Sequence, residues 1–400
     1  MTLIINGKRS LAHVEKISWI KPIEGNNDIE LVGVLGWKCI SEVGLFNKGD
    51  LCVYIEIDSK VPQKEFFEFL SPQNFKVKTI HFKDLDVISQ GIALPLDVFD
   101  VEIPNKEGTD VSELLEITYS DLEDYNLNDL PNEYNIANQR REEIIEESGA
   151  KWLMKSNFGK KSMSYLLGEE KDTNQYFPTK FPHITKTNLE YVENIPTILR
   201  DKTPFIRAQK CDGLSATYIL ERIKKGFGRD EYEFYVCSQN YRLFEVNDNS
   251  LDNINQYFWE MAEIYDIEYN LKDYLKNHKD CEYVCWQGEI CGPEIQNNPQ
   301  KLTENHLFCF QMIDSKTGKF DIREAKRIWD EYEMETIPIE PMAYILPNSF
   351  EQFKQTADGY YSSEVCDDQT GCIREGWIYY KTTDPDFCFK NVSINYLLNK

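Results

Sequence analysis

The chain has 400 residues, 44 basic and 68 acidic, for a formal net charge of −24. That balance argues against a nonspecific nucleic-acid coat but leaves room for a local basic groove, because field follows the distribution of charge and not its sum. Hydrophobic residues at 41% and aromatic residues at 13% are ample for two or three cored domains. No apolar run approaches the roughly 20 residues that span a bilayer. The opening stretch Met1–Arg9 lacks the layout of a signal peptide. Eleven cysteines without close pairing imply reduced thiols and an intracellular, reducing compartment, cytoplasm or nucleus. Cys281, Cys285 and Cys291 have no Cys-x-x-Cys partner, so they read as structural thiols and not as a zinc site.

Residues 1–118 read as β-rich. Ile29–Leu35 and Leu51–Ile57 alternate with β-branched content, and Gly25–Asp28, Asn47–Asp50 and Asp58–Lys60 punctuate them as turns. Short strands at this spacing predict a small barrel such as an OB-fold. Glu65–Leu70 reads as a short helix laying aromatics on that barrel, and Ile88–Leu96 as a closing strand. Residues 119–176 form an acidic connector, with nine acids against Arg140 and Arg141 between Tyr119 and Ser148. Its stretch Lys151–Lys161 interleaves bases with aromatics, which fits either a nucleic-acid contact or an amphipathic segment on a domain surface.

From 177 to 400 the chain reads as a second, antiparallel-sheet domain. Phe205–Tyr218 is a strand, a tight turn at Asp212-Gly213 and a second strand, with Lys210 at the turn. A lysine amine becomes a nucleophile only after losing its proton, which partial burial and neighbouring cations favour. Residues 250–278 carry a helical stripe of Phe258, Met261, Ala262 and Tyr265. Glu289 lies in the strand Val284–Cys291, flanked by apolar residues, where an acid is costly unless it meets a cation or donors. Phe308 and Phe310 share a strand face, Glu375-Gly376 opens a hydrophobic run, and Lys390 closes one.

Each of these alone has an ordinary explanation in a surface hairpin or a core. The ordered set Lys210-x-Asp212-Gly213, Gly288-Glu289, Phe310, Glu375-Gly376 and Lys390 resembles the covalent nucleotidyltransferases: ATP-dependent DNA ligases, RNA ligases and capping enzymes. The N-terminal words Pro22-Ile23, Gly36-Trp37, Gly49–Ser59 and Ser89-Gln90-Gly91 are similar to the OB domain of the RNA ligases typified by the Naegleria and Deinococcus enzymes. DNA ligases usually carry an arginine shortly after the motif glycine, where this chain has Leu214-Ser215. They and capping enzymes append an OB domain after the last motif, where only ten residues follow Lys390.

The resemblance implies an α+β protein: an N-terminal OB-like β-barrel followed by an antiparallel-sheet nucleotidyltransferase domain. It implies an ATP-dependent RNA ligase that passes AMP from Lys210 to an RNA or DNA 5′-phosphate and joins it to an RNA 3′-hydroxyl, in RNA repair. Lys210 is the implied nucleophile. Glu289, Glu375 and Asp212 would hold Mg²⁺ or Mn²⁺ through its water, and Lys390 would meet the α-phosphate. Phe310 would stack the adenine with Ile378 on its other face, and Gln209, Gly213, Asn240, Arg242 and Lys186 would complete the ATP contacts. Two departures stand out. Ser238-Gln239-Asn240 has glutamine where the family commonly has arginine, leaving Arg242 as a substitute. Lys390-Asn391-Val392 has one lysine where the family has two, leaving Lys381 and Lys186 as second cations. The expected partner is RNA or an RNA-containing nicked duplex, with no membrane and the protein a monomer. The alternatives are a capping-type guanylyltransferase and a noncatalytic OB-fold RNA-binding protein.

Overall fold

The computed structural model describes residues 4–5, 8–119, 189–225, 229–239, 242–243, 255–368 and 371–399. The connector, Lys186 and Asn240 lie outside the described residues.

The N-terminal half builds a five-stranded antiparallel sheet from β1 (Ala12–Pro22), β2 (Ile29–Val34), β3 (Trp37–Glu42), β4 (Leu51–Ile55) and a later strand. A hairpin follows, β5 (Thr79–Phe82) with β6 (Val87–Gln90), and then that fifth strand, β7 (Ile92–Pro95). The sheet order is β7-β4-β1-β2-β3. The single closing strand expected over Ile88–Leu96 is two strands. Gly91 at φ +79° turns the chain between them, so β6 pairs with β5 while β7 pairs with β4. A Cβ at Gly91 would meet the Tyr54 ring and the Ile55 carbonyl, so a larger residue is strained there twice over. The expected short helix is a 3₁₀ run, Glu65–Gln73, whose Phe67 and Leu70 are buried against the barrel.

The C-terminal half has two sheets. One is β8 (Glu190–Tyr191), β9 (Phe205–Lys210), β16 (Gly376–Lys381) and β17 (Asp384–Val392), in the order β8-β17-β16-β9. The other is β10 (Leu214–Lys225), β11 (Arg229–Cys237), β12 (Arg242–Leu243), β13 (Tyr283–Cys291), β14 (His306–Asp314) and β15 (Gly318–Lys319), in the order β12-β11-β10-β13-β14-β15. Ile206, Ala208, Ile378 and Tyr380 from the first sheet share one core with Tyr218, Trp286 and Met312 from the second. Outside the second sheet lie α1 (Asn255–Ile264) and α2 (Ile267–Asn277), and α3 (Ile322–Glu331) packs against β14. The helical stripe expected across 250–278 is interrupted at Asp266, which takes φ +46°. Phe258 and Met261 are buried, as their spacing implies. Two short helices complete the chain, α4 (Phe350–Gln355) and α5 (Ile394–Asn399). Among the described residues no helix is long and apolar enough to cross a membrane. All eleven cysteines are free thiols.

The halves meet over a joint core. Trp37 and Tyr54 of the barrel pack with Tyr191 and Val392 of the C-terminal half. Trp37 Nε1 donates to Asn194 Oδ1 at 2.5 Å, and the Tyr191 hydroxyl donates to Asp58 Oδ2 at 2.8 Å. Asn194 also donates to Glu56, which faces a buried histidine. His13 Nδ1 lies 3.0 Å from Glu15 Oε1 and its Nε2 lies 3.3 Å from Glu56 Oε1. Burial alone would lower the His13 pKa, but the Glu15 and Glu56 carboxylates outweigh it and raise the group to about 9. The folded value lies above the unfolded one, so this stabilisation is complete below about pH 6.5 and is lost as pH rises through about 9. Urea unfolding should therefore show a loss of up to about 3 kcal/mol between pH 6.5 and 9.5 that His13→Gln abolishes.

Candidate active site

The turn between β9 and β10 lies where the two sheets diverge. Lys210 ends β9 opposite Gly376, so Glu375, one residue before β16, falls beside it. The Lys210 Nζ to Glu375 Oε2 distance is 2.8 Å. Gly376 is required at that crossing, because a Cβ there would sit 2.2 Å from the Asn391 carbonyl oxygen, at φ +154°. Gly213 is required for a different reason. Its turn lies directly on β13, where a Cβ would sit 2.2 Å from the Ile290 carbonyl oxygen. The same approach lets the Gly213 N–H donate to Glu289 Oε1 at 3.1 Å. Asp212 Oδ2 accepts from the Tyr396 hydroxyl at 2.5 Å.

Three carboxylates thus converge on one amine. Burial alone would lower the Lys210 pKa, but Glu375, Glu289 and Asp212 outweigh it and hold the amine well above its ordinary value. These acids therefore favour the protonated form of the lysine. Glu289 is pushed up to about 7. Burial is the largest cause, Lys210 opposes it, and Glu375 and Asp212 add to it. Around the Lys210 amine itself three acids face one cation, a cluster that suits a further cation beside it. Among the described residues no group of three acidic, cysteine or histidine side chains is arranged to ligate an ion directly. This donor set therefore suits an ion that keeps its own water.

The amine opens into a cavity of about 420 Å³. Lys210, Asp212, Gly213, Glu289, Glu375 and Lys390 line it on one side, and Phe310, Ile378, Ile337 and Leu189 supply apolar surface. Phe310 reaches it through a β-bulge. Gln287 pairs with Gln311 and Gly288 with Cys309, which leaves Phe310 as the extra residue and re-aims its ring. Phe308, expected on the same face, is buried in the core and stacked on His306. The Lys390 ammonium stands 3.8 Å from the centre of the Tyr191 ring.

Three candidates are placed elsewhere. Gln209 does not line the cavity; its side chain accepts from the Ser362 N–H at 3.0 Å, because adjacent residues of β9 point to opposite faces. Arg242 does not line it either, being held by Glu233 at 3.2 Å and over the Tyr235 ring. Lys381 stands at the far end of β16 from Gly376, opposite Phe205, and pairs with Asp201 at 2.7 Å. Five strand steps separate it from Gly376, the residue opposite Lys210, roughly 17 Å. The cations that do line the cavity with Lys390 and Lys210 are Lys76 and Lys78 of the barrel, beside Asp58 and Thr79. No local pattern marks them, because only the docking of the two halves brings them there. Tyr191 and Tyr396 were missed for the same reason.

A barrel that closes over a lysine and three acids, between two antiparallel sheets, has the form of a nucleic-acid ligase. Residues 203–393 match the family profile described as RNA ligase, and residues 11–96 match one described as an OB-fold domain. The chain thus carries an RNA ligase domain at 203–393, preceded by an OB-fold domain at 11–96. Among solved structures it is similar to Naegleria gruberi RNA ligase. A variant with ATP and Mn is 25% identical with TM-score 0.70, covering 98% of this chain and 97% of that one. A variant with AMP and Mn is 26% identical with TM-score 0.69, covering 98% and 99%. The complex with PPi is 25% identical with TM-score 0.69, covering 98% and 99%. Among curated proteins none matches the chain.

Proposed function

We propose that this protein is an ATP-dependent RNA ligase that works through a lysyl-AMP intermediate on Lys210. The observation that carries the reading is the amine at 2.8 Å from Glu375, enclosed with two further acids at the end of a cavity with an apolar wall. We take the division of labour to be an OB domain at 1–118, a connector at 119–176 and a ligase domain at 177–400.

In the first step the Lys210 lone pair forms a P–N bond to the α-phosphorus of ATP. The bond from that phosphorus to the bridging oxygen breaks, pyrophosphate leaves, and the amine proton passes to water. Phe310 and Ile378 suit the two faces of a purine, and Lys390 suits the α-phosphate. Lys76 and Lys78 suit the outgoing pyrophosphate. Glu289, Glu375 and Asp212 would hold Mg²⁺ or Mn²⁺ through its water, which would neutralise phosphate charge and favour the free amine. AMP then passes to a 5′-phosphate, and an RNA 3′-hydroxyl displaces it to form the phosphodiester. The Naegleria RNA ligase structures with ATP and Mn, with AMP and Mn, and with PPi support these choices of nucleotide and ion.

The test is incubation with ATP labelled in the α-phosphate and Mg²⁺ or Mn²⁺. The protein should acquire an acid-labile label that added pyrophosphate removes, and GTP should not substitute. A protein that takes no label overturns the reading, and labelling by GTP alone points to a guanylyltransferase. Matched nicked duplexes differing only in the sugar at each side of the nick then show whether sealing needs RNA at the 3′-hydroxyl.

A further inference from the structure

The C-terminal helix α5 is short, yet the two halves of the molecule and the site all meet on it. Its hydroxyl-bearing residue Tyr396 is buried and donates to Asp212 Oδ2 at 2.5 Å, across 184 residues of sequence. The residue before the helix, Ser393, donates its N–H to the Glu375 carbonyl oxygen at 2.8 Å. Its hydroxyl donates to Asp358 Oδ1 at 2.7 Å and accepts the Tyr396 N–H at 3.1 Å. The four residues Ser393–Tyr396 therefore hold Asp212 by its carboxylate and Glu375 by its backbone carbonyl. The next residue, Leu397, packs on the barrel core with Ile17, Trp37 and Tyr54, and α5 lies against β5 of the barrel hairpin. Tyr396, Leu397 and Leu398 also line the cavity beside Lys78 and Thr79.

We propose that Tyr396 is a positioning residue for nucleotidyl transfer, and that α5 couples the seating of the OB barrel to the geometry of the Lys210–Asp212 turn. The inference rests on the lysyl-AMP reading and deepens it. Asp212 sits two residues beyond the nucleophile in a turn whose carboxylate could swing to several partners. The phenol holds one of its oxygens against the helix. The barrel holds the helix in place through Leu397, so displacement of the barrel would release the turn. A hydrogen bond to a charged group is strong enough for its loss to be read in a rate.

The experiment is single-turnover lysyl-AMP formation by the full chain with labelled ATP and Mg²⁺. Tyr396→Phe keeps the ring and removes the hydroxyl. Its rate at saturating ATP is expected to fall about tenfold, the effect of losing one charged hydrogen bond, with half-saturating ATP moved by less than about threefold. Leu397→Ala loosens the helix from the barrel without touching the hydroxyl and is expected to lower the same rate by about threefold or more. Asp212→Asn combined with Tyr396→Phe should be no slower than Asp212→Asn alone, since both act on one contact. A wild-type rate in Tyr396→Phe, or losses that simply add in the double variant, overturns the positioning role. A wild-type rate in Leu397→Ala overturns the coupling, and it does so even if Tyr396→Phe fails to fold. A wild-type protein that takes no label overturns the parent reading, whereas labelled wild type with indifferent variants overturns this inference alone.

Discussion

Lys210→Ala should leave the protein without any covalent nucleotide, a loss on the order of 10⁴-fold or more in adenylylation, since nothing else in the site can form the bond. The other amines lining the cavity enter it from other places. Lys390 rests on the Tyr191 ring in β17, two strands from Lys210 in the same sheet, and Lys76 and Lys78 enter from the barrel. Lys210→Arg should be as inactive, because a guanidinium stays protonated at any working pH. The two variants separate chemistry from binding. Lys210→Arg keeps a cation against Glu375 and should melt near wild type. Lys210→Ala leaves three acids with no cation among them, so its melting temperature should drop without divalent ion and recover on adding Mg²⁺ or Mn²⁺. Gel labelling and thermal melts on the three proteins check both halves. A labelled Lys210→Ala would remove the lysine from the mechanism outright.

Much of the site could be read from the chain because its pieces are local. Lys210, Asp212 and Gly213 lie in one turn, and Gly213 and Gly376 stand where a neighbouring backbone comes too close for a side chain. Glu289, Phe310, Ile378 and Lys390 each sit on a strand whose apolar run was visible, and the cavity gathers all four. Two errors came from applying strand geometry incompletely. Strict alternation already turns Gln209 away from the face of Lys210, and counting along Gly376–Lys381 already carries Lys381 out of reach. Phe310 reached the cavity by another route, since without the bulge it would share the buried face of Phe308. What stayed hidden was long-range. Lys76, Lys78, Tyr191 and Tyr396 gain their roles only when the barrel, the parallel strand β8 and the last helix close on the turn. No spacing rule reaches across such separations. The lysine's protonation was likewise invisible, because it depends on three acids converging from three segments.

Glu375→Gln should have two opposite effects on adenylylation, and the pH profile can separate them. Glu375 is the largest of the acidic influences that raise the Lys210 pKa against its burial. Replacing it with glutamine releases the amine from its 2.8 Å pair, so the rise of rate with pH should move to lower pH. The same change weakens the hold on a hydrated ion and leaves the charge on the α-phosphate less compensated. Neutralising that charge dominates phosphoryl transfer, so the ceiling of the profile should fall by about 10²- to 10³-fold even though the nucleophile is freer. Glu289→Gln tests the ion alone. Glu289 titrates at about 7 in the folded protein, so the anion that would hold the ion appears as pH rises through that value. The Mg²⁺ concentration for half-maximal labelling should therefore fall between pH 6 and 8 in the wild type, and lose that dependence in Glu289→Gln. If Glu375→Gln lowers the ceiling without moving the limb, the carboxylate does not control the amine's proton. The 2.8 Å pair would then be a resting contact that the nucleotide breaks on entry.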